Sequence, residues 1–279
     1  MLLGNCNKPL EALLEKILHS DEFACVKWHV QVSSTQDLAK NFIRESTCKT
    51  SAVFVADSQT SGRGTRGRIW HAPAVNLMMT VVAPLAVSLN QTSGLTLAAG
   101  AAAVEVLRAI CPKVSMKWPN DLWLNDGKLA GILCETCRTA SGHLHVAVGI
   151  GVNIAIQDKL KKHLLEAGYP ASSLFTLTDL PKDVDIVRVH TAARLALALR
   201  RAVCEFSSDT ISGIASRWDG FDAMLGQQVC FISDDGRMTQ GIERGITQNG
   251  EIVIDDNGIR RVFSNGSLRP AAGKAAPVC

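Results

Sequence analysis

The sequence predicts a mixed α/β domain up to about residue 220, followed by a compact all-β domain. Three observations predict it. Short apolar β-rich runs alternate with segments of helical periodicity over the first 220 residues. Four Asp/Asn-Gly pairs, Asp235-Gly236, Asn249-Gly250, Asn257-Gly258 and Asn265-Gly266, then separate short β-rich runs. Hydrophobic residues make up 47% of the 279 and charged residues 20%, enough apolar surface for a packed core and too little charge for a disordered chain.

The elements follow in order. Residues 10–18 read as a short amphipathic helix. A second helix starts at Ser34, with Asp37 at capping-box spacing ahead of Leu38, Phe42 and Ile43. SAVFVAD (51–57) and NLMMTVVAP (76–84) read as strands, with a glycine- and arginine-rich loop between them. Residues 93–110 read as a buried helix capped by Ser93, its alanines and Gly100 allowing close packing on a sheet. Residues 114–136 read as strand, turn, strand, tight Asp126-Gly127 turn, strand. Residues 143–156 form another β-rich run, 157–185 a polar loop region, and 186–206 a long helix with one buried face. The runs after residue 220 predict a small antiparallel barrel or meander, and the last nine residues a frayed tail.

Composition excludes several classes. A net charge of +3 is too small to mark a nucleic-acid binder, so the positive charge of the arginine loop is local. Nine scattered cysteines without regular spacing argue against a disulfide framework and for a reducing compartment. The N-terminal residues carry Glu11, Glu15, Asp21 and Glu22, unlike a secretory or mitochondrial address. The most apolar stretch, 93–110, is interrupted by Glu105 and Arg108 and does not span a bilayer. A soluble, cytoplasmic protein without membrane contact is the expectation.

Two stretches carry most of the chemistry. In SGRGTRGRIW, Arg63, Arg66 and Arg68 supply guanidinium forks, and Gly62, Gly64 and Gly67 supply backbone N–H groups and freedom to fold over a ligand. The loop lacks the Gly-Lys-Ser/Thr ending of a Walker motif, and alone it equally fits a solvated turn or a nucleic-acid contact. In KWPNDLWLNDGKLAGIL, Lys117, Asp121 and Lys128 lie along one hairpin, and Pro119 fixes the corner from which Asn120 and Asp121 project. Two lysines and a carboxylate at one corner suit a polyanionic substrate; an exposed hairpin with charged flanks is the plainer reading. Asn153 closes VGIGVN, where an amide could read a ribose or phosphate or simply hold a turn. Cys134 and Cys137, with His143 and His145, lack paired zinc-knuckle spacing, and Cys134 continues an apolar run.

Together SSTQ (33–36), QTSGRGTRGRIW (59–70), KWPNDLWLNDGKLAGILCE (117–135), VGIGVNI (148–154) and the final SLRP resemble the biotin–protein ligases, also called biotin–[acetyl-CoA-carboxylase] ligases. The likeness spans roughly residues 25–270. It implies a catalytic domain of class II aminoacyl-tRNA synthetase type at 25–220, a C-terminal β-barrel at 221–279 and an N-terminal extension at 1–24. It also implies activation of biotin by ATP with Mg²⁺ to biotinyl-5′-AMP, then transfer to a lysine of a biotin carboxyl carrier domain.

By the same resemblance, Arg63, Lys128, Lys117 and Asp121 would be catalytic. Ser34, Thr35, Gln59, Gly62, Arg63, Trp70, Lys128 and Gly131 would bind biotin, and Arg66, Asn120 and Asn153 would lie around the nucleotide. Thr65 stands where some members carry another arginine, and Gln36 where asparagine is commoner, so neither receives a role. About thirty residues precede SSTQ, too few for the helix-turn-helix module of bifunctional members, so no operator-DNA binding is expected. A lipoate or octanoate ligase or transferase of the same fold is the nearest alternative, and a nucleic-acid-binding protein a more distant one. Edge-strand pairing leaves both monomer and homodimer open.

Overall fold

The structure, a computed structural model, describes residues 5–18, 22–47, 49–68, 70 and 75–271. The first part of the chain runs α1 (Lys8–Leu18), β1 (Cys25–Val32), α2 (Thr35–Glu45), β2 (Ala52–Gln59), β3 (Leu77–Pro84), α3 (Leu95–Arg108), β4 (Ser115–Lys117), β5 (Asp121–Leu124), β6 (Gly127–Arg138) and β7 (Leu144–Val152). Then come α4 (Asp158–Glu166), α5 (Val184–Cys204), α6 (Ser208–Ala215), β8 (Gln228–Ile232), β9 (Met238–Ile246), β10 (Ile252–Asp256), β11 (Ile259–Phe263) and β12 (Ser267–Pro270). Among the described residues, no helix is long and apolar enough to cross a membrane.

Strands β1 to β7 form one mixed sheet in the order β1-β2-β3-β7-β6-β5-β4, parallel only between β1 and β2. Side chains alternate across it with period two. Val53 and Val55 of β2, Met79 and Val81 of β3, and Val148 and Ile150 of β7 enter the core shared with α3 and α5. Their neighbours Phe54, Val82 and Ala147 pack instead with Ala39 and Ile43 of α2. The α2 face is only partly covered. Beyond the helix its small residues, Gly149, Gly151 and Gly131, floor an open cleft.

Strands β8 to β12 form an antiparallel sheet in the order β11-β10-β9-β8-β12. The expected barrel is thus an open five-stranded sheet: among the described residues the outer strands β11 and β12 do not pair. The Asn257-Gly258 turn has φ 52° and 86°, the left-handed pair that a two-residue hairpin requires. The segment leading into this sheet docks on β4, where Met116 N donates to Phe221 O at 2.6 Å, and the β9–β10 turn docks just beyond it, where Trp118 Nε1 donates to Gly250 O at 3.0 Å.

Four local expectations need correction. The cap of α3 is Gly94 at φ 80°, not Ser93; a side chain there would run into Ile211. Asp37 does not complete a capping box; Ser34 Oγ accepts from Gln36 N at 3.2 Å, while Asp37 pairs with Arg63. The polar region 157–185 contains α4, whose Leu160 and Leu164 lie one turn apart on its inner face. Strand β1, unanticipated, buries Val26 and Trp28 by alternation. Of the tail expected to fray, residues 272–279 lie outside the described residues.

Candidate functional site

The cleft has a volume of about 1410 Å³ and opens between the α2 face of the large sheet and the second sheet. Small-molecule sites usually run to about 300–1,000 Å³, so this one has room for two ligands side by side.

One wall is the corner predicted from KWPND. The antiparallel register of β4 and β5 places Lys117 opposite Asp121, and that of β5 and β6 brings Lys128 alongside. Asp121 Oδ2 accepts from Lys117 Nζ at 3.1 Å and Oδ1 from Lys128 Nζ at 2.5 Å. Lys117 Nζ also donates to Leu268 O of β12 at 2.9 Å, and lies 5.4 Å from the centre of the Trp123 ring. Burial works to raise the Asp121 carboxyl, but the two ammoniums outweigh it and hold it at about 2. Burial lowers Lys117 in turn, with Asp121 opposing. Lys128 is the more accessible of the two cations, its side chain 31% exposed against 9% for Lys117.

The floor is set by glycine. Lys128 Nζ sits 5.3 Å from the centre of the Trp70 ring. A Cβ at Gly131 would meet Lys128 Nζ at 3.0 Å and Trp70 Cζ3 at 3.2 Å, and one at Gly151 would meet Trp70 Nε1 at 2.5 Å. Only glycine lets the indole lie against the strands there. Trp70 Nε1 is buried with no hydrogen-bond partner among the described residues.

At the far end, Gln59 Oε1 accepts from Thr35 N at 2.7 Å and Thr35 Oγ1 at 3.1 Å. Thr80 Oγ1 lies 2.9 Å from Thr35 Oγ1 and 3.2 Å from Gln36 Oε1. The result is a buried polar end suited to a neutral group rich in donors and acceptors. The arginine loop closes the opposite side. Arg63 pairs with Asp37 at 2.8 Å, Arg66 pairs with Asp234 at 2.7 Å, and Arg68 reaches Thr65.

The comparisons agree with this geometry. A family model, the biotin/lipoate A/B protein ligase family, matches residues 28–153. The chain is 33% identical over 227 residues to the bifunctional ligase/repressor BirA of Escherichia coli, covering 80% of this chain and 68% of that one. This chain belongs to the biotin/lipoate protein ligase family. A biotin–[acetyl-CoA-carboxylase] ligase of Mycobacterium tuberculosis is 30% identical over 222 residues, 77% of each chain. The fold matches the biotin protein ligase of Aquifex aeolicus in complex with biotin and ATP, with a TM-score of 0.66 at 23% identity over 89% of this chain and all of that one.

Most of the residues singled out in this ligase-family chain line the cleft: Ser34, Thr35, Gln59, Arg63, Arg66, Trp70, Lys117, Asn120, Asp121, Lys128, Gly131 and Asn153. Gly62 lies behind it, its carbonyl accepting from Trp70 N at 3.0 Å, where it sets the course of the loop. Both predicted amides are engaged with backbone. Asn120 Nδ2 donates to Ile132 O, and Asn153 Nδ2 donates to Lys128 O and Ser172 O, fixing the strand that carries Lys128. Gln36, left without a role, is buried under Gly149 and donates to Ala147 O. Thr80 was missed: it is a lone threonine in an apolar strand, and that interruption was its only signal. Cys134 reaches the cleft, but burial pushes its thiol up to about 12, so it stays protonated at neutral pH.

Proposed function

We propose that this protein activates biotin with ATP and transfers it to a lysine of a biotin carboxyl carrier domain. The observation that carries the reading is the Lys117–Asp121–Lys128 cluster, set beside a glycine floor and facing three arginines across one cleft. The names borne by the relatives above favour biotin over lipoate.

In the first step a carboxylate oxygen of biotin attacks the α-phosphorus of ATP and pyrophosphate leaves. Negative charge grows on the α-phosphate and the bridging oxygen, where Lys128 and Arg63 act as fixed cations. Asp121 holds Lys128 in place, and Lys117 balances Asp121, so the cluster presents net positive charge to the phosphate. Mg²⁺ enters with the phosphates of ATP as part of the substrate, because Asp121 is already engaged by two ammoniums. Ser34, Thr35 and Gln59 receive the ureido head at the polar end, Trp70 and Gly131 flank the ring system, and Arg66, Asn120 and Asn153 border the nucleotide.

In the second step the neutral amine of the acceptor lysine attacks the acyl carbon, AMP leaves with the bond electrons, and the amine's proton passes to solvent. Asp121, held near 2, is too weak a base to take it, so its role toward the amine is orientation.

We take residues 25–220 as the catalytic domain and 221–279 as the second domain, a division supported by the two separate sheets. The cytoplasm, the reducing compartment inferred from cysteine usage, is the proposed place of action. Incubation with biotin, ATP and an unmodified carrier domain should add one biotin to a single lysine, read by intact mass. Labelling with lipoate and none with biotin would overturn the specificity.

A further inference from the structure

Arg66 reaches from the arginine loop to the turn between β8 and β9 of the second sheet. Arg66 Nη2 donates to Asp234 Oδ1 at 2.7 Å across 168 positions of sequence, and both residues line the cleft. Arg66 stands at φ 59° in the left-handed region, a conformation unfavourable for a non-glycine residue. An external contact must help to hold it there. Inside the loop, Gly64 N donates to Arg68 O at 2.8 Å and Arg68 N donates to Thr65 O at 3.3 Å, bonds that shape the turn without anchoring it across the cleft.

Asp234 is well placed to be that anchor. It sits in the turn between β8 and β9, which is closed by its own bonds: Ser233 N donates to Arg237 O at 2.9 Å, and Arg237 pairs with Asp235 at 2.9 Å. Asp235 and Arg237 therefore satisfy one another, while Asp234 projects toward the loop. The Arg66 and Asp234 side chains are 41% and 61% exposed, so the pair is weak and salt-sensitive. A clasp that must open for substrate entry and AMP release needs that modest strength; a buried pair would trap the intermediate.

We propose that Asp234 is a positioning residue for the arginine loop: through Arg66 it holds the loop across the cleft mouth, against the second sheet, while biotinyl-5′-AMP is bound. The proposal rests on the ligase reading above. An exposed pair of this kind biases the closed arrangement by about two- to five-fold.

Asp234→Asn removes the charge and preserves the shape, at an exposed position where folding is not at risk. The first readout needs no ligand: the initial rate of tryptic cleavage after Arg68, normalised to a model peptide at each salt concentration. Cleavage should be about two- to five-fold faster in Asp234→Asn than in wild type at low salt. High salt should bring wild type up to the variant, and Arg66→Gln/Asp234→Asn should be no faster than either single change. Equal rates at low salt, or a double variant faster than both singles, would overturn the clasp. The second readout is release of biotinyl-5′-AMP, which should accelerate by the same factor. Altered cleavage with unaltered release would overturn the positioning role. Failure of wild type to form the adenylate would instead count against the ligase reading, leaving the cleavage result to judge the clasp.

Discussion

Replacing Asp121 by Asn removes the one carboxylate that Lys117 and Lys128 share. The Asp121 carboxyl is held at about 2, against an ordinary 3.8, so its charged form is favoured in the fold by about 2 kcal/mol. Buried Lys117 would also lose its carboxylate partner, and breaking such a pair costs about 3–5 kcal/mol where burial is complete. Asn still accepts from one lysine, so the expected loss at pH 7 is about 2–4 kcal/mol, a fall in Tm of roughly 5–15 °C for a chain of this size. Urea and thermal melts measure it.

The pH dependence has a definite sign. A depressed folded-state value contributes stability above the unfolded 3.8, and that stability is lost as pH falls through about 2. The gap between wild type and Asp121→Asn should therefore be constant from pH 5 to 7 and shrink below pH 4. Adding Lys117→Met to Asp121→Asn should recover part of the loss, because it removes the stranded ammonium. Equal melting midpoints at pH 7, or a gap that widens on acidification, would refute the charge-pair account.

Three further outcomes follow from the same geometry. Gly151→Ala forces Trp70 off the floor, because a Cβ there would stand 2.5 Å from Nε1; KM for biotin should rise about ten-fold or more with KM for ATP little changed, and an unchanged biotin KM would remove Trp70 from the pocket wall. Arg63→Ala should speed loss of biotinyl-5′-AMP by about ten-fold and increase indiscriminate lysine labelling, since one charge-assisted hydrogen bond is worth about 1.5–3 kcal/mol. Glu243 faces Asp222 beneath the second sheet, and burial followed by the Asp222 charge pushes it up to about 9. Stability from such a raised carboxyl is full below its unfolded 4.5 and is lost as pH rises through about 9, so Glu243→Gln should flatten the fall in stability between pH 6 and 9; parallel slopes for the two proteins would count against it.

The second sheet was legible because each Asp/Asn-Gly pair favours a turn: β9, β10 and β11 each lie between two such signals, with β8 just before the first and β12 just after the last. The Lys117–Asp121–Lys128 cluster was legible for a related reason: a hairpin turns short sequence spacing into contact. Its protonation was not, because that depends on burial under β12, whose Leu268 lies 151 residues from Lys117. Helix α4 was hidden by its lysines, which outnumber its inward leucines. Asp37 obeys a local capping rule, yet tertiary structure brings Arg63 within 2.8 Å, and an ion pair prevailed over the cap. Thr80, Gln36 and Asp234 acquire meaning only once strands and loops distant in sequence meet.

The central claim is that this cleft joins biotin to the α-phosphate of ATP. Exchange of labelled pyrophosphate into ATP, run with biotin and separately with lipoate and no carrier domain present, tests it most directly. The account predicts exchange that depends on biotin, is not supported by lipoate, and falls by at least about 100-fold in Lys128→Ala. Exchange with lipoate alone, or biotin-dependent exchange that survives Lys128→Ala, would contradict it.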